Sequence, residues 1–278
     1  MNDESIDQGA FDALLAAIYQ HYGYDFREYA STSLKRRFTS ILSRYNLATL
    51  EACQHRIIQD ATFFTTILSE LTITVTELFR DPFVYIAIKE HIFPYLKTCP
   101  RFKIWHAGCA TGEEVYSLAI LLMEDELYER AIIYATDINL KALADARLGL
   151  LSNEAIRQGT SNYFKAGGRT SLNHYFIANN SHTLLSARLK SNIVFSDHNL
   201  VTDTCFGQME FILCRNVLIY FNKELQTHTL SLLTRSLGLG GYLCLGSKEN
   251  LSFSSVEQQY ECVDAHARIY RKIRGESS

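Results

Sequence analysis

The order of hydrophobic patterns predicts an α/β fold: a doubly wound sheet broken by one small, mostly antiparallel insertion and preceded by an all-helical N-terminal region. Three observations carry this. Helical periodicity alone fills the chain up to Leu71, short apolar runs alternate with helical segments from Phe102 onward, and the alternation breaks between Gly149 and Asn192.

In the first region Phe11, Leu14, Leu15, Ile18 and Tyr22 recur at helical spacing, as do Leu34, Phe38, Ile41, Leu42 and Tyr45. A third set runs Ile57, Ile58, Phe64, Ile67, Leu68 and Leu71. Thr72 to Asp81 joins this unit to the rest without a glycine-rich stretch, and Pro82 suits the first turn of the next helix. Beyond it, Ile104–Ala107 reads as a strand, Glu113–Glu124 as a helix and Ala131–Thr136 as a strand. Leu140–Gly149 then reads as a helix, Glu210–Leu213 as a buried strand and Leu225–Leu237 as a helix, with Gly241–Leu245 and Ala267–Lys272 as the last strands. In the insertion, Gly167-Gly168 and Asn179-Asn180 mark turns around Tyr175-Phe176-Ile177, with Thr183-Leu184-Leu185 following.

Composition narrows the class. The 278 residues, 47% hydrophobic and 21% charged, suit a globular chain with a real core. A net charge of −3 gives no support for nucleic-acid binding. Seven cysteines without a C-x-x-C pair argue against a disulfide framework or a zinc site, so no metal is expected. The opening Met1-Asn2-Asp3-Glu4 lacks the features of a signal peptide, and no apolar run approaches the ~20 residues of a membrane span. The expectation is a cytoplasmic, monomeric chain that does not span a membrane.

The densest signal is Lys103 to Ala119: an apolar strand, a small-residue turn holding Gly108 and Gly112, and a helix opening on Glu113 and Glu114. Glycine there lets backbone approach a ligand at the carboxyl end of a parallel strand. The acids would repel a pyrophosphate but accept a ribose hydroxyl or a cationic cofactor, and the spacing is not the G-x-G-x-x-G of dinucleotide enzymes. Asp137 ends the next apolar strand, where an α/β nucleotide fold uses a carboxylate to hold ribose; a solvated turn or a helix cap is the plainer alternative. Arg215 and Asn216 close a third apolar strand, and Asn216 could bind adenosine or the amino-acid end of a cofactor, or merely cap the following backbone. Together these features point to S-adenosylmethionine-dependent methyl transfer.

Two further segments are ambiguous. Arg80, in Thr72 to Asp81, reads by spacing alone as a surface ion pair. On the helix from Leu34 to Tyr45, Arg36, Arg37 and Arg44 project away from the apolar stripe and Lys35 flanks it. That face is either solvated or a docking surface for an acidic partner helix. His106 has no metal-ligand companion, and Cys109 and Cys214 read as small buried residues rather than nucleophiles.

Over most of its length, from about Phe11 to Lys272, the chain resembles the CheR family of chemotaxis-receptor methyltransferases. The matching pieces are LTITVTELFRD (Leu71 to Asp81), IWHAGCATGEEVYSLA (Ile104 to Ala119), ATDIN (Ala135 to Asn139), FILCRNVLIYF (Phe211 to Phe221) and GGYLCLGSKENL (Gly240 to Leu251). The resemblance implies a helical domain at 1–71, a linker at 72–84 that contributes to the site, and a Rossmann-like S-adenosylmethionine methyltransferase domain at 85–278 with a β-subdomain inserted at about 150–192. It also implies transfer of a methyl group to glutamate carboxylates on the helical cytoplasmic domain of chemoreceptors, with S-adenosylhomocysteine as product. By matching position, Thr74, Thr76 and Arg80 would line the site and Gly108 would shape it. Glu113 would meet the cofactor's amino-acid end, Asp137 the ribose, and Asn199 and Leu200 the adenine, with Asn216 and Val217 closing the pocket. Arg80 and Tyr220 are the candidates for contact with the acceptor. The chain departs from the family where Thr74 replaces Asn, His106 replaces Ser, Val115 replaces Pro, and Ser247-Lys248 replaces His-Ser before Glu249-Asn250. These departures keep a second reading open, a cofactor-binding regulatory or adaptor protein with little transferase activity. A nucleic-acid methyltransferase fits less well, because no Asn-Pro-Pro-aromatic element follows the Phe211 strand.

Overall fold

A computed structural model describes residues 6–72, 74–178 and 182–275. They divide into two compact units, Met1–Ile73 with Ile219–His228, and Thr74–Leu218 with Thr229–Ser278.

The first unit is all-helical: α1 (Gln8–Tyr22), α2 (Ser31–Arg44), α3 (Leu50–Gln59) and α4 (Ala61–Leu71). Caps written in the sequence set the boundaries. The Asp7 carboxylate accepts from the Ala10 N–H, and Gly23 closes α1 at φ 78°. The third apolar set forms two helices rather than one, because the Asp60 carboxylate accepts from the Thr62 and Phe63 N–H groups and starts α4 where α3 stops. Ile58, counted in that set, lies 36% exposed. Phe11, Leu14, Ile18, Phe38, Ile67 and Leu71 are among the buried residues of this unit's own core. The segment after Leu218 joins it through Ala30 N–H to the Tyr220 carbonyl and Asn222 N–H to the Glu28 carbonyl.

The second unit opens with α5 (Pro82–Ala87), a π-helical turn (Ile88–Ile92) and α6 (Phe93–Thr98). Then come β1 (Phe102–Ala107), α7 (Glu113–Glu124), β2 (Ala131–Asp137) and α8 (Leu140–Leu148). The insertion holds β3 (Leu150–Ser152), α9 (Asn153–Lys165), β4 (Phe176–Ala178), β5 (His182–Leu185) and the short α10 (Ala187–Lys190). The unit closes with β6 (Ile193–Asp197), β7 (Met209–Cys214), β8 (Leu237–Leu245), β9 (Tyr260–Asp264) and β10 (Ile269–Lys272), while α11 (Lys223–Ser236), between β7 and β8, begins in the segment counted with the first unit. The main sheet runs β6-β2-β1-β7-β8-β10-β9. Its first five strands are parallel, while β10 is antiparallel to both β8 and β9. Since β1 is flanked by β2 on one side and β7 on the other, the strand order reverses there, which is where open α/β sheets form a crevice beyond the carboxyl ends of their strands.

The expected α/β class with a small antiparallel sheet (β3-β5-β4) is what forms. The insertion departs from expectation by carrying α9. Ser152 caps it by accepting from the Ala155 N–H, and Ile156, Gly159 and Tyr163 bury one face. At Gly159 a Cβ would lie 2.7 Å from that of Leu78, so glycine admits the close packing. Strands β6 and β9 differ from expectation too, because both lie at sheet edges and most of their residues are exposed or only partly covered. The Asn179-Asn180 turn and the Met1-Asn2-Asp3-Glu4 opening lie outside the described residues. Among the described residues no helix is long and apolar enough to cross a membrane.

Candidate functional site

The turn after β1 is built from residues that tolerate unusual backbone. Gly108, Ala110 and Gly112 adopt φ values of 81°, 48° and 92°. The N–H groups of Gly108 and Cys109 both donate to the Thr136 carbonyl at the end of β2. A Cβ on Gly108 would lie 2.5 Å from Val217 Cγ2, so this glycine lets the turns after β1 and β7 meet across the crevice. Helix α7 then begins at Glu113, a residue 9% exposed whose carboxylate accepts from Thr111 Oγ1 at 2.6 Å. Burial pushes the Glu113 carboxyl above its ordinary range, against the hydrogen bond from Thr111.

Asp137 closes the turn from β2. Its Oδ2 accepts from the Ala110 N–H and its Oδ1 from the Asn139 N–H, each at 2.8 Å. Burial pushes its carboxyl up despite these bonds. Beyond β6, Asn199 turns the chain: its Oδ1 accepts from the Val201 N–H while its own N–H donates to Asp203. Leu200 is buried beside it in sequence. Across the crevice, Asn216 takes φ 60°, and both its N–H and that of Gly246 donate to Glu249 Oε2.

Thr74, Thr76 and Arg80 are half-buried on the segment leading into α5. Arg80 lies between two non-glycine residues in the left-handed region, Phe79 at φ 54° and Asp81 at φ 56°. Its guanidinium donates to the Val75 carbonyl at 3.4 Å.

Sequence reasoning missed what lies beneath this rim. Arg215, its side chain 1% exposed, donates through Nη1 to Glu114 at 3.0 Å and through Nη2 to Asp81 at 2.8 Å. The other Glu114 oxygen meets His106 Nδ1 at 2.9 Å. Burial would raise the Glu114 carboxyl, but His106 and Arg215 outweigh it and hold the pKa below the ordinary range. Burial likewise opposes the Arg215 charge, and Glu114 leads the neighbouring groups, Asp81 among them, that together outweigh it. The signal available was a pair of acids opening a helix and an arginine ending an apolar strand. Both were visible, but their pairing spans the sheet. The Cys109 and Cys214 thiols are pushed well up by burial, which excludes ready thiolates and agrees with their assignment as packing residues.

The basic face of α2 differs from expectation at one residue. Arg37 does not project into solvent: it is half-buried, donates to the Leu71 carbonyl and to Ser33 Oγ, and lies 5.4 Å over the Tyr220 ring. Its side chain follows the α4 carbonyl end, which needs a donor. Lys35 donates to Gln8 and Arg44 pairs with Glu70, while Arg36 is exposed. Tyr220 belongs to the helical unit by its packing. Among the described residues no cluster could hold a metal ion.

Comparison with known proteins adds the following. A family model described as CheR methyltransferase, SAM binding domain, matches residues 74–269, and one described as CheR methyltransferase, all-alpha domain, matches 9–72. A putative methyltransferase of Pseudomonas putida, Cher3, is 45% identical over 93% of this chain and 95% of its own length. A chemotaxis protein methyltransferase of Vibrio parahaemolyticus is 27% identical over 87% of this chain and 88% of its own. Among solved structures, magnesium protoporphyrin IX methyltransferase of Synechocystis with bound SAM aligns with TM-score 0.36 and 16% identity over 69% of this chain and 80% of that one.

The residues present fit S-adenosylmethionine. The Gly108 cradle would be filled by any Cβ, and a carboxylate at Asp137 has about four acceptor positions, which its backbone donors do not exhaust. Glu113 carries a carboxylate at the start of α7 that, when ionised, would suit a cationic amine or sulfonium.

Proposed function

Because the chain belongs to the CheR methyltransferase family, we propose that it esterifies glutamate side chains on the helical cytoplasmic domain of chemoreceptors. The enzyme is an S-adenosylmethionine-dependent methyltransferase; its acceptor, its cytoplasmic location and the roles of individual residues are part of the proposal. One arrangement carries the reading: half-buried Asp137 and buried Glu113 flank a glycine turn, with Arg80 on a strained turn anchored to the helix that Glu113 opens.

When bound, the cofactor supplies a methyl group on a sulfonium, which leaves with its bonding electrons remaining on sulfur. The acceptor glutamate, with a reference pKa near 4.3, is already an anion at pH 7 and needs no general base. This agrees with a site whose own carboxylates are assigned to binding and whose thiols stay protonated. Asp137 takes the ribose hydroxyls, Glu113 the amino-acid end, and Asn199 and Leu200 the adenine, while Asn216, Val217, Thr74 and Thr76 line the pocket. Arg80 orients the acceptor carboxylate. Its task is alignment, because a tight ion pair with the nucleophile would stabilise the ground state as much as the transition state. Tyr220 is proposed as a second acceptor contact, and Lys35, Arg36 and Arg44 as the basic face that attracts an acidic receptor helix, with Arg37 as a brace within the helical unit.

Incubating the protein with receptor cytoplasmic domains and methyl-labelled cofactor tests the proposal. Base-labile label on glutamates located by mass spectrometry supports it. Cofactor binding without transfer to any receptor domain would overturn it in favour of a regulatory role.

A further inference from the structure

Asp81 is the oddest residue in the fold. It precedes Pro82, which normally forces its neighbour into extended backbone, yet it sits at φ 56°, ψ 68°. It also occupies the N-cap position of α5, where aspartate usually accepts from the helix N–H groups, but makes no side-chain cap hydrogen bond. Its carboxylate turns instead to Arg215 Nη2, and the same nitrogen lies 3.5 Å from the Arg80 carbonyl.

A second tie runs in parallel. The Phe79 N–H donates to Ser117 Oγ at 2.8 Å, and Ser117 donates to the Glu113 carbonyl at 2.6 Å. The turn carrying Arg80 is therefore fastened on both sides to α7: through Arg215 to Glu114, and through Ser117 to Glu113. Glu114 cannot drift, because one oxygen is taken by Arg215 and the other by His106. Buried ion pairs are weak sources of stability, since desolvation offsets most of their attraction; what they fix well is geometry.

We propose that Arg215, through Asp81 and Glu114, is a positioning residue that holds the Arg80 turn in register with the cofactor-binding start of α7. Binding at Glu113 and orientation of the acceptor at Arg80 are thereby coupled through one helix end. This inference rests on the role given to Arg80 above.

Asp81→Asn tests it cleanly, because asparagine tolerates the left-handed region and the change removes only the charge. Asp81→Asn should bind S-adenosylhomocysteine within about threefold of wild type, while kcat for receptor methylation falls at least about tenfold with little change in KM. In an Arg80→Ala background the same substitution should cost nothing more, whereas a merely structural role would cost the same factor again. Hydrogen exchange gives a readout that needs no acceptor. S-adenosylhomocysteine should protect peptides spanning 76–85 in wild type, and this protection should vanish in saturated Asp81→Asn and Glu114→Gln. Additive losses, or equal protection in the variants, would overturn the proposal. Should wild type methylate no receptor domain, the proposed function fails, and the exchange measurement alone decides the coupling.

Discussion

Replacing Asp137 by asparagine separates two tasks of one carboxylate. In the protein its oxygens accept from different backbone donors, Oδ2 from Ala110 and Oδ1 from Asn139, both at 2.8 Å. An amide has a single acceptor oxygen, so one of those N–H groups must face an NH2. An unsatisfied buried donor costs about 1–3 kcal/mol. Removing a charge that burial disfavours works the other way, so the ligand-free protein should melt within about 5 °C of wild type. The cofactor loses more. Two ribose hydroxyls donating to an anion rather than to a neutral amide differ by roughly 1 kcal/mol each, since bonds to charged groups are worth about 1.5–3 kcal/mol and neutral ones about 0.5–1.5. At 1.4 kcal/mol per decade, the loss of about 2 kcal/mol weakens binding roughly thirtyfold. Calorimetric titration of S-adenosylhomocysteine near neutral pH, with a thermal melt of the same sample, measures both quantities. An unchanged Kd in a folded Asp137→Asn protein would refute the assignment, and a loss of affinity that tracks unfolding would reduce Asp137 to a brace for the turn.

Arg80→Ala should keep S-adenosylhomocysteine affinity within about threefold and lose about a hundredfold in labelled-methyl transfer, the scale of a misaligned nucleophile. Gly108→Ala should weaken cofactor binding about tenfold, since a left-handed alanine costs about 1–2 kcal/mol and its methyl meets Val217; adding Val217→Ala should restore part of the loss by calorimetry. Acidification should weaken cofactor binding before ordinary carboxylates titrate, because burial raises both Asp137 and Glu113. The sign for stability is opposite: with folded pKa values raised, these two groups favour the ligand-free fold as pH falls, whereas Glu114, held low, contributes stability that is lost as pH falls through its folded pKa. Titrations and melts across the same pH series should therefore diverge, with affinity lost first.

Much of this protein is determined locally and was legible in its residues. Helix α7 starts and ends where Gly112 and the run Glu113–Glu124 place it, and β1, β2 and β7 follow from apolar runs ending at Ala107, Asp137 and Cys214. Asp137 and the glycine turn could be paired on paper because the order of strands in an α/β chain brings successive carboxyl ends to one rim. The division of α3 from α4 is equally local, since the Asp60 cap, which apolar spacing alone does not reveal, sets it.

Other features depend on groups far apart in sequence, and no spacing rule reaches them. Arg215 meets Asp81 and Glu114 only because β7 lies against β1 and the segment entering α5 folds over both. Arg37 reads as an outward charge until the end of α4 supplies a carbonyl for it. Helix α9 gains its buried face from Leu78 packing on Gly159, a contact between segments that share no local pattern. Periodicity and caps report what a residue does to its neighbours in the chain. Where a buried charge finds its counter-charge is settled by the sheet order, and that is decided by packing the whole domain.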